Sequence, residues 1–335
     1  MQQSEGSREG IEENREDESM FRLAKEQKIC SIGGIKVGGQ PGENPPLLIG
    51  SMFQKGDRLV ESRKKLKFDK RRATERLREM ERLSQETGVP GMVAMVANRT
   101  DEMKAYVDFF VGVTDMPFAI DIWVQETRLQ ATQYVAQLGL QDRLLYNSIT
   151  PWDEDISAQV EALKEMGIKH IVVQAFDPED KLPSGRITSL KEMLKLVEKG
   201  GFESILVDTA VMNLPTTAFS LLANRRIKEQ FGLPVGCAPS NGTYMWKKSG
   251  ETWGRQGFAA VDASLHAISA LWSDFLLFGP MTGTARVFPA VAATTALLST
   301  ATYDEVRFVP DNENHPLNLL FPEVASQLLE EIKEG

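Results

Sequence analysis

Four polar residues close or follow apolar, β-prone runs, where their side chains could hold a ligand rich in hydrogen-bonding groups. Asp121 ends FAID, Asn147 ends LLYN, Asp208 ends SILVD, and Asn241 follows PVGC in VGCAPSNGT. Burying a carboxylate or amide against apolar neighbours is costly unless something bonds to it, so four such groups around one opening imply a polar guest. Each also reads as a cap of the helix after its strand, because Asp and Asn are the usual N-caps of βα loops. Ser51 after LLIG, Ser148 beside Asn147, and Gln174 and Asp177 in IVVQAFDPED extend the set. Their claim is weaker, since DPED also reads as a turn and helix start.

Other chemistries fit less well. His170, His266 and His315 lack metal-ligand spacing, and Cys30 and Cys237 form no CxxC pair. A protein-bound metal and a disulfide framework are therefore not expected, and a reducing cytoplasm is. No Lys ends a strand-like run, which disfavours a Schiff base, although Lys181 lies a little beyond IVVQ. A dense basic run (Arg63, Lys64, Lys65, Lys67, Lys70, Arg71, Arg72) reads as a solvated helix start, with a phosphate or polyglutamate contact as its alternative.

The elements that must position these residues are legible as eight apolar runs: Leu47–Gly50, Met92–Val96, Phe118–Asp121, Leu144–Asn147, His170–Gln174, Ser204–Asp208, Pro234–Cys237 and Phe275–Phe278. They are continuous in hydrophobicity, as strands buried on both faces are. Helical spacing separates them: Ile156, Val160 and Leu163 after Asp153 as N-cap, and Leu190, Met193, Leu194 and Val197 after Thr188-Ser189. Eight βα units need ~250 residues, which Leu47 to about Leu298 supplies, so the expected fold is an α/β (β/α)8 TIM barrel. A doubly wound sheet is the rival, but neither GxGxxG nor GxxxxGK[ST] is present. Before the barrel, QKICSIGGIKVGG reads as an N-terminal β-hairpin turning at Gly33-Gly34 and capping the N-terminal end of the barrel. After it, residues 303–335 read as an appended segment with a short helix from Glu323 to Lys333.

Composition sets outer limits. The 335 residues carry 38 Lys plus Arg against 47 Asp plus Glu, a net charge of −9, which argues against general nucleic-acid binding. Seven acids against Arg8 and Arg15 put −5 of that in residues 1–20, expected as a disordered acidic leader ahead of one barrel domain over 21–335. With 42% hydrophobic residues a sizeable core is expected. No apolar run approaches the ~18 residues of a membrane span, and the N-terminus has no signal-peptide stretch.

The ordered text KICSIGGIKVGGQPGENPPLLIGSMF, LKFDKRRA, FAID, LYNSIT, LVDTA, APSNGT, DFLLFGPM and VFPA resembles the H subunit of tetrahydromethanopterin S-methyltransferase and its bacterial methylcorrinoid:tetrahydrofolate methyltransferase relatives. The resemblance runs from Met20 to about Phe321. It implies a pterin held by Asp121, Asn147 and Asp208, with Gln174 and Ser148 beside them, and Asn241 placed near pterin N5. It implies methyl transfer from a methylated corrinoid to N5 of tetrahydrofolate, giving 5-methyltetrahydrofolate and cobalt(I). The DxHxxG signature of a cobalt-ligating module is absent, since Ile168, Ser264 and Glu313 stand two residues before the three histidines. The corrinoid is therefore expected on a separate partner protein, and a homodimer is the family expectation. Tetrahydrofolate follows from the bacterial branch. The H subunit acting with tetrahydromethanopterin is the alternative, as is a non-catalytic pterin-binding member of a larger assembly. A pterin synthase like dihydropteroate synthase is a further reading; it would need a basic residue for pyrophosphate, for which Arg255 is the nearby candidate.

Overall fold

The computed structural model describes residues 20–246 and 248–334, so the acidic leader lies outside the described residues except for Met20, whose N–H donates to Glu305 at 3.0 Å. The hairpin forms as expected: β1 (Ile29–Ile32) pairs antiparallel with β2 (Ile35–Gly38). Its turn residues Gly33 and Gly34 take φ of 54° and 84°, a left-handed region that glycine enters without a Cβ clash.

Eight strands then make a closed barrel. They are β3 (Leu47–Met52), β6 (Gly91–Val96), β7 (Phe118–Asp121), β8 (Leu144–Ile149), β9 (His170–Gln174), β10 (Ser204–Asp208), β11 (Val235–Cys237) and β12 (Phe275–Pro280). Between β3 and β6 the chain adds a small hairpin, β4 (Val60–Ser62) and β5 (Lys67–Phe68). The barrel strands are all parallel, follow chain order, and close through β12 on β3.

Helices alternate with them: α1 (Lys70–Thr87), α2 (Thr100–Val111), α3 (Gln125–Gln137), α4 (Ile156–Glu165), α5 (Pro183–Val197) and α6 (Thr217–Phe231). After β11 come the short α7 (Pro239–Met245) and α8 (Lys248–Ala270), which kinks at Gly254. After β12 come α9 (Thr284–Val306), α10 (Pro316–Leu320) and α11 (Pro322–Glu334). Among the described residues no helix is long and apolar enough to cross a membrane.

Local chemistry explains the boundaries, including two that differ from expectation. Asp69 caps α1 by accepting from the Arg72 N–H at 3.0 Å, and Gly88 ends the helix at φ 74°. The basic run around it is tied down in part, since Arg63 donates to the Phe53 carbonyl and pairs with buried Glu102. Asp155 rather than Asp153 caps α4, because Asp153 is drawn into an ion pair with Arg128. Helix α5 starts at Pro183, well before Thr188-Ser189; proline at the first helical position loses no hydrogen bond there.

Two packed layers hold the barrel. Helix faces such as Ala73, Leu77, Met80 and Leu83 of α1 cover its outside. Inside, Leu47, Ile49, Met92, Ala119, Leu145, Val172, Leu206 and Phe275 pack against Cys30, Ile32 and Val37 of the hairpin. The hairpin is thus the floor of the barrel, bonded to it where Gly33 N–H donates to Asp142 and Lys28 N–H to Gly232, both at 2.8 Å. Ile32 is wholly buried in that floor. Ile32→Ala should lower unfolding stability by about 2–4 kcal/mol in urea titration. Ligand affinity at the opposite end should stay unchanged, and a loss of affinity equal to the loss of stability would contradict this division.

Candidate active site at the barrel mouth

Strand parity decides which side chains meet at the mouth. Ile49, Ala119, Leu145, Val172 and Leu206 belong to the barrel interior. Two residues further along the same strands stand Ser51, Asp121, Asn147, Gln174 and Asp208. Successive strand residues face opposite sides, so these five point inward, one layer above the apolar filling. Asp121 is in register with Asn147, and Gln174 with Asp208. The register of β8 shifts between Asn147 and Ile149, and Ser148 reaches the same space.

All six residues singled out for the site (Asp121, Asn147, Ser148, Gln174, Asp208, Asn241) line one cavity of about 530 Å³, together with Ser51. Asp177 does not line it; its carboxylate accepts from the Glu179 N–H at 2.8 Å and serves the turn. Arg255 is exposed on α8 and is likewise no part of the lining. Depth varies around the ring. Asp208 is buried, Asp121, Asn147 and Gln174 are half-buried, and Asn241 is exposed at the rim.

The ring has unspent bonding capacity. Asp208 Oδ1 accepts from the Ala210 N–H at 2.9 Å. Among the described residues none hydrogen-bonds the side chains of Asp121, Asn147, Ser148, Gln174 or Asn241. Buried and half-buried polar groups normally find partners, so a cluster without them marks a place where a ligand or water completes the set.

Burial dominates the electrostatics. Desolvation pushes Asp121 up from 3.8 to about 6 against the opposing pull of Arg128. Desolvation likewise raises Asp208 to about 6, against the Ala210 N–H and the charge of Arg186. Both carboxyls therefore titrate close to neutrality, and a donor-rich ligand would favour their ionised forms.

Sequence patterning does not single out these two arginines. Arg128 is 3% exposed; its Nε donates to Tyr146 Oη at 2.8 Å and its Nη1 to the Ile122 and Trp123 carbonyls at 2.8 and 3.2 Å. Its Nη2 meets both oxygens of Asp153 at 3.1 and 2.9 Å. Arg186, also buried, donates to the Thr209, Ala210 and Leu182 carbonyls at 2.6, 3.1 and 3.3 Å. Each guanidinium thus fixes the loop that follows a site carboxylate. Ala210 needs this, because it sits at φ 49°, a region that costs a residue with a Cβ about 1–2 kcal/mol. Its carbonyl also accepts from Ser220 Oγ at 2.6 Å.

Asn241 is held by α7. Pro239 starts that helix, Ser240 Oγ donates to the Leu277 carbonyl at 3.1 Å, and Thr243 Oγ1 donates to buried Asp262 at 2.6 Å. Arg286 bonds the other Asp262 oxygen at 2.7 Å and donates to Tyr244 Oη, a cavity-lining group, at 3.1 Å. Among the described residues no group of three or more His, Cys, Asp or Glu could hold a metal ion. Cys30 and Cys237 are buried free thiols, and burial raises both thiol pKa values.

Eight parallel strands closed into a barrel, with polar side chains at the ends of the strands, define a TIM-barrel protein with a candidate ligand site at its C-terminal mouth. The family model described as tetrahydromethanopterin S-methyltransferase MtrH subunit matches residues 25–308, and the chain belongs to that family. It is 34% identical over 320 residues to the H subunit of tetrahydromethanopterin S-methyltransferase from Methanopyrus kandleri, covering 88% of this chain and 98% of that one. Similarity to the same subunit from Methanothermobacter thermautotrophicus is 32% over 297 residues, covering 85% and 95%. A dihydropteroate synthase of Xanthomonas albilineans superposes with a TM-score of 0.57 at 14% identity over 81% of this chain and 98% of its own, a likeness of fold alone.

The raised carboxyl pKa values have a stability consequence with a definite sign. An acid whose folded pKa lies above its unfolded value favours the fold fully below that lower value and loses the contribution as pH rises to about 6. Asp208→Asn keeps an acceptor for Ala210 and removes the ionised form. It should therefore stabilise the unliganded protein by about 1–3 kcal/mol at pH 7.5 and by almost nothing at pH 4. Thermal unfolding at the two pH values measures this, and equal effects at both would contradict it.

Proposed function

We propose that this protein catalyses methyl transfer between the cobalt of a corrinoid carried by a separate protein and N5 of a tetrahydropterin seated in the barrel mouth. The observation that carries the reading is the ring of inward polar side chains with unspent hydrogen bonds. A reduced pterin presents ring N–H and NH₂ donors beside a carbonyl acceptor. Carboxylates accept only, and amides do both, so Asp121 and Asp208 suit the donors while Asn147, Gln174 and Ser148 suit the rest of the pyrimidine end. Family membership supports the same reading.

Asn241 is assigned to N5. Its exposed position at the rim suits an atom that must meet a reagent arriving from outside. In the direction toward the pterin, the N5 lone pair forms the N–C bond while the Co–C bond breaks. Both electrons of that bond stay on cobalt, taking it from cobalt(III) to cobalt(I), and the N5 proton leaves to solvent. The Asn241 amide can accept from N5–H or donate to its lone pair, so it orients the atom without exchanging a proton. The protein's share is alignment, water exclusion and fixed dipoles rather than a nucleophile.

Both named relatives carry tetrahydromethanopterin in their names, which supports that pterin over the tetrahydrofolate expected from the sequence. Those relatives are also subunits, which supports work within a larger assembly and keeps a pterin-binding role without independent turnover as the second reading.

Anoxic mixing with methylcobalamin and each pterin should develop the cobalt(I) spectrum, faster with the true acceptor. Asn241→Ala should slow that rate about 10-fold or more while shifting pterin Kd less than about 3-fold. Binding without a spectral change, even with a methylated corrinoid protein, would favour the second reading. Failure to bind either pterin would reject both.

A second expectation follows from the carboxyl groups. Because ionised Asp121 and Asp208 accept the ring donors, pterin affinity should be flat above pH 7 and fall as pH drops through about 6. Calorimetric titration from pH 5 to 8 checks it. An affinity that rises toward acid would overturn the assigned roles.

A further inference from the structure

Two tryptophans that the proposed methyl-transfer chemistry does not use stand where the mouth cavity adjoins a second groove. Trp123 lies two residues beyond Asp121 in the loop from β7 to α3, and Trp152 lies in the next loop, from β8 to α4. They are 80% and 46% exposed, and their rings face each other at 6.2 Å with 27° between planes. Both line the mouth cavity, and both also line a second groove of about 640 Å³ between α3 and α4. Trp123, Trp152 and Asp153 are common to the two spaces, so the mouth cavity and the groove adjoin at the indoles.

The pair is held in place. Arg128 donates to the Trp123 carbonyl and pairs with Asp153, the residue next to Trp152. One buried guanidinium therefore fixes both loops and stands beside Asp121. Large aromatic faces left open to water, yet carried on pinned loops at the edge of a ligand cavity, are suited to stack on a flat guest.

Resting on the pterin reading above, we propose that Trp123 and Trp152 form a stacking subsite for the arylamine that substitutes C6 of the tetrahydropterin, whose further substituent runs into the α3–α4 groove. The chemistry of that groove selects among substituents. Glu126, Glu154 and Asp155 line it beside Asp153, which is paired with Arg128, and among the described residues no Lys or Arg lines it. The three carboxylates that carry no cation partner among the described residues accept from hydroxyl groups and repel other carboxylates. The groove therefore suits an arm extended by hydroxyls and disfavours one extended by a chain of glutamates.

The test uses the full chain and three probes in calorimetry: 6-methyltetrahydropterin, tetrahydropteroate and tetrahydropteroyl triglutamate. The wild type should bind tetrahydropteroate about 10-fold more tightly than the bare ring, with no gain from the added glutamates. Trp123→Ala and Trp152→Ala should erase the gap and leave the bare-ring Kd within about 2-fold, and Trp123→Phe should restore part of it. A gap that survives both alanine variants, or equal loss for ring and arm, would overturn the subsite. So would unchanged pterin affinities combined with a raised KM for a methylated corrinoid protein, which would make the indoles a protein-docking surface. If the wild type binds none of the probes, the pterin reading itself falls, a result distinct from all of these.

Discussion

Ionising a carboxyl group inside the mouth of a closed barrel costs free energy that the neighbouring donors return only in part, and Asp121 and Asp208 both stand in that position. A fold tolerates such a cost only where the rest of the molecule is secure. Here the security lies at the other end. The hairpin floor and the barrel interior beneath the polar ring are filled by apolar side chains packed on one another. The unfavourable chemistry is confined to one layer of side chains at the strand ends.

The loops above that layer are stabilised by an unusual choice of cation. Arg128 and Arg186 are buried deeply enough that an unpaired guanidinium would be untenable, yet only Arg128 has a carboxylate within ion-pair distance among the described residues. Arg186 is satisfied by backbone carbonyls from the loop leading into its own helix and from the loop after β10. Five donors in one plane suit that task, since they reach several carbonyls of two loops in a fixed fork. The consequence is a site whose walls are rigid where their sequence is loop. Ala210 can then hold a left-handed conformation, and its N–H is delivered to Asp208.

Much of this architecture is legible in the amino-acid order, and the reasons are specific. Eight β-prone runs announce the barrel because parallel strands buried on both faces carry an uninterrupted apolar signal. The same continuity makes Asp121, Asn147 and Asp208 conspicuous, since each breaks its run at the end where a barrel places its chemistry. What the runs conceal is parity. Counting by two from Ala119, Leu145, Val172 and Leu206 reaches Asp121, Asn147, Gln174 and Asp208, which puts Gln174 in the ring on equal terms. The arginines are illegible because an Arg in a helix of mixed polarity looks like any solvated residue; only the tertiary return of two loops buries it. Asp153 passes for a cap for the same reason, its partner Arg128 lying far along the chain.

Which pterin the proposed site would take lies outside those signals, for a geometric reason. Tetrahydrofolate and tetrahydromethanopterin carry the same heterocyclic edge, so in the proposed binding mode whatever Asp121, Asn147 and Asp208 do, they do for both. Selectivity between two such ligands must then reside where their atoms differ, beyond C6 and outside the barrel proper. That places the burden on exposed loop and helix residues, where polar composition carries no structural constraint and a sequence offers no period to read. In this chain the groove that adjoins the mouth begins at two indoles and is lined by carboxylates, with no cation lining it among the described residues. A binding face that is generic at its centre can therefore be discriminating at its edge. The residues that make it so are those that strand patterning is least able to reveal.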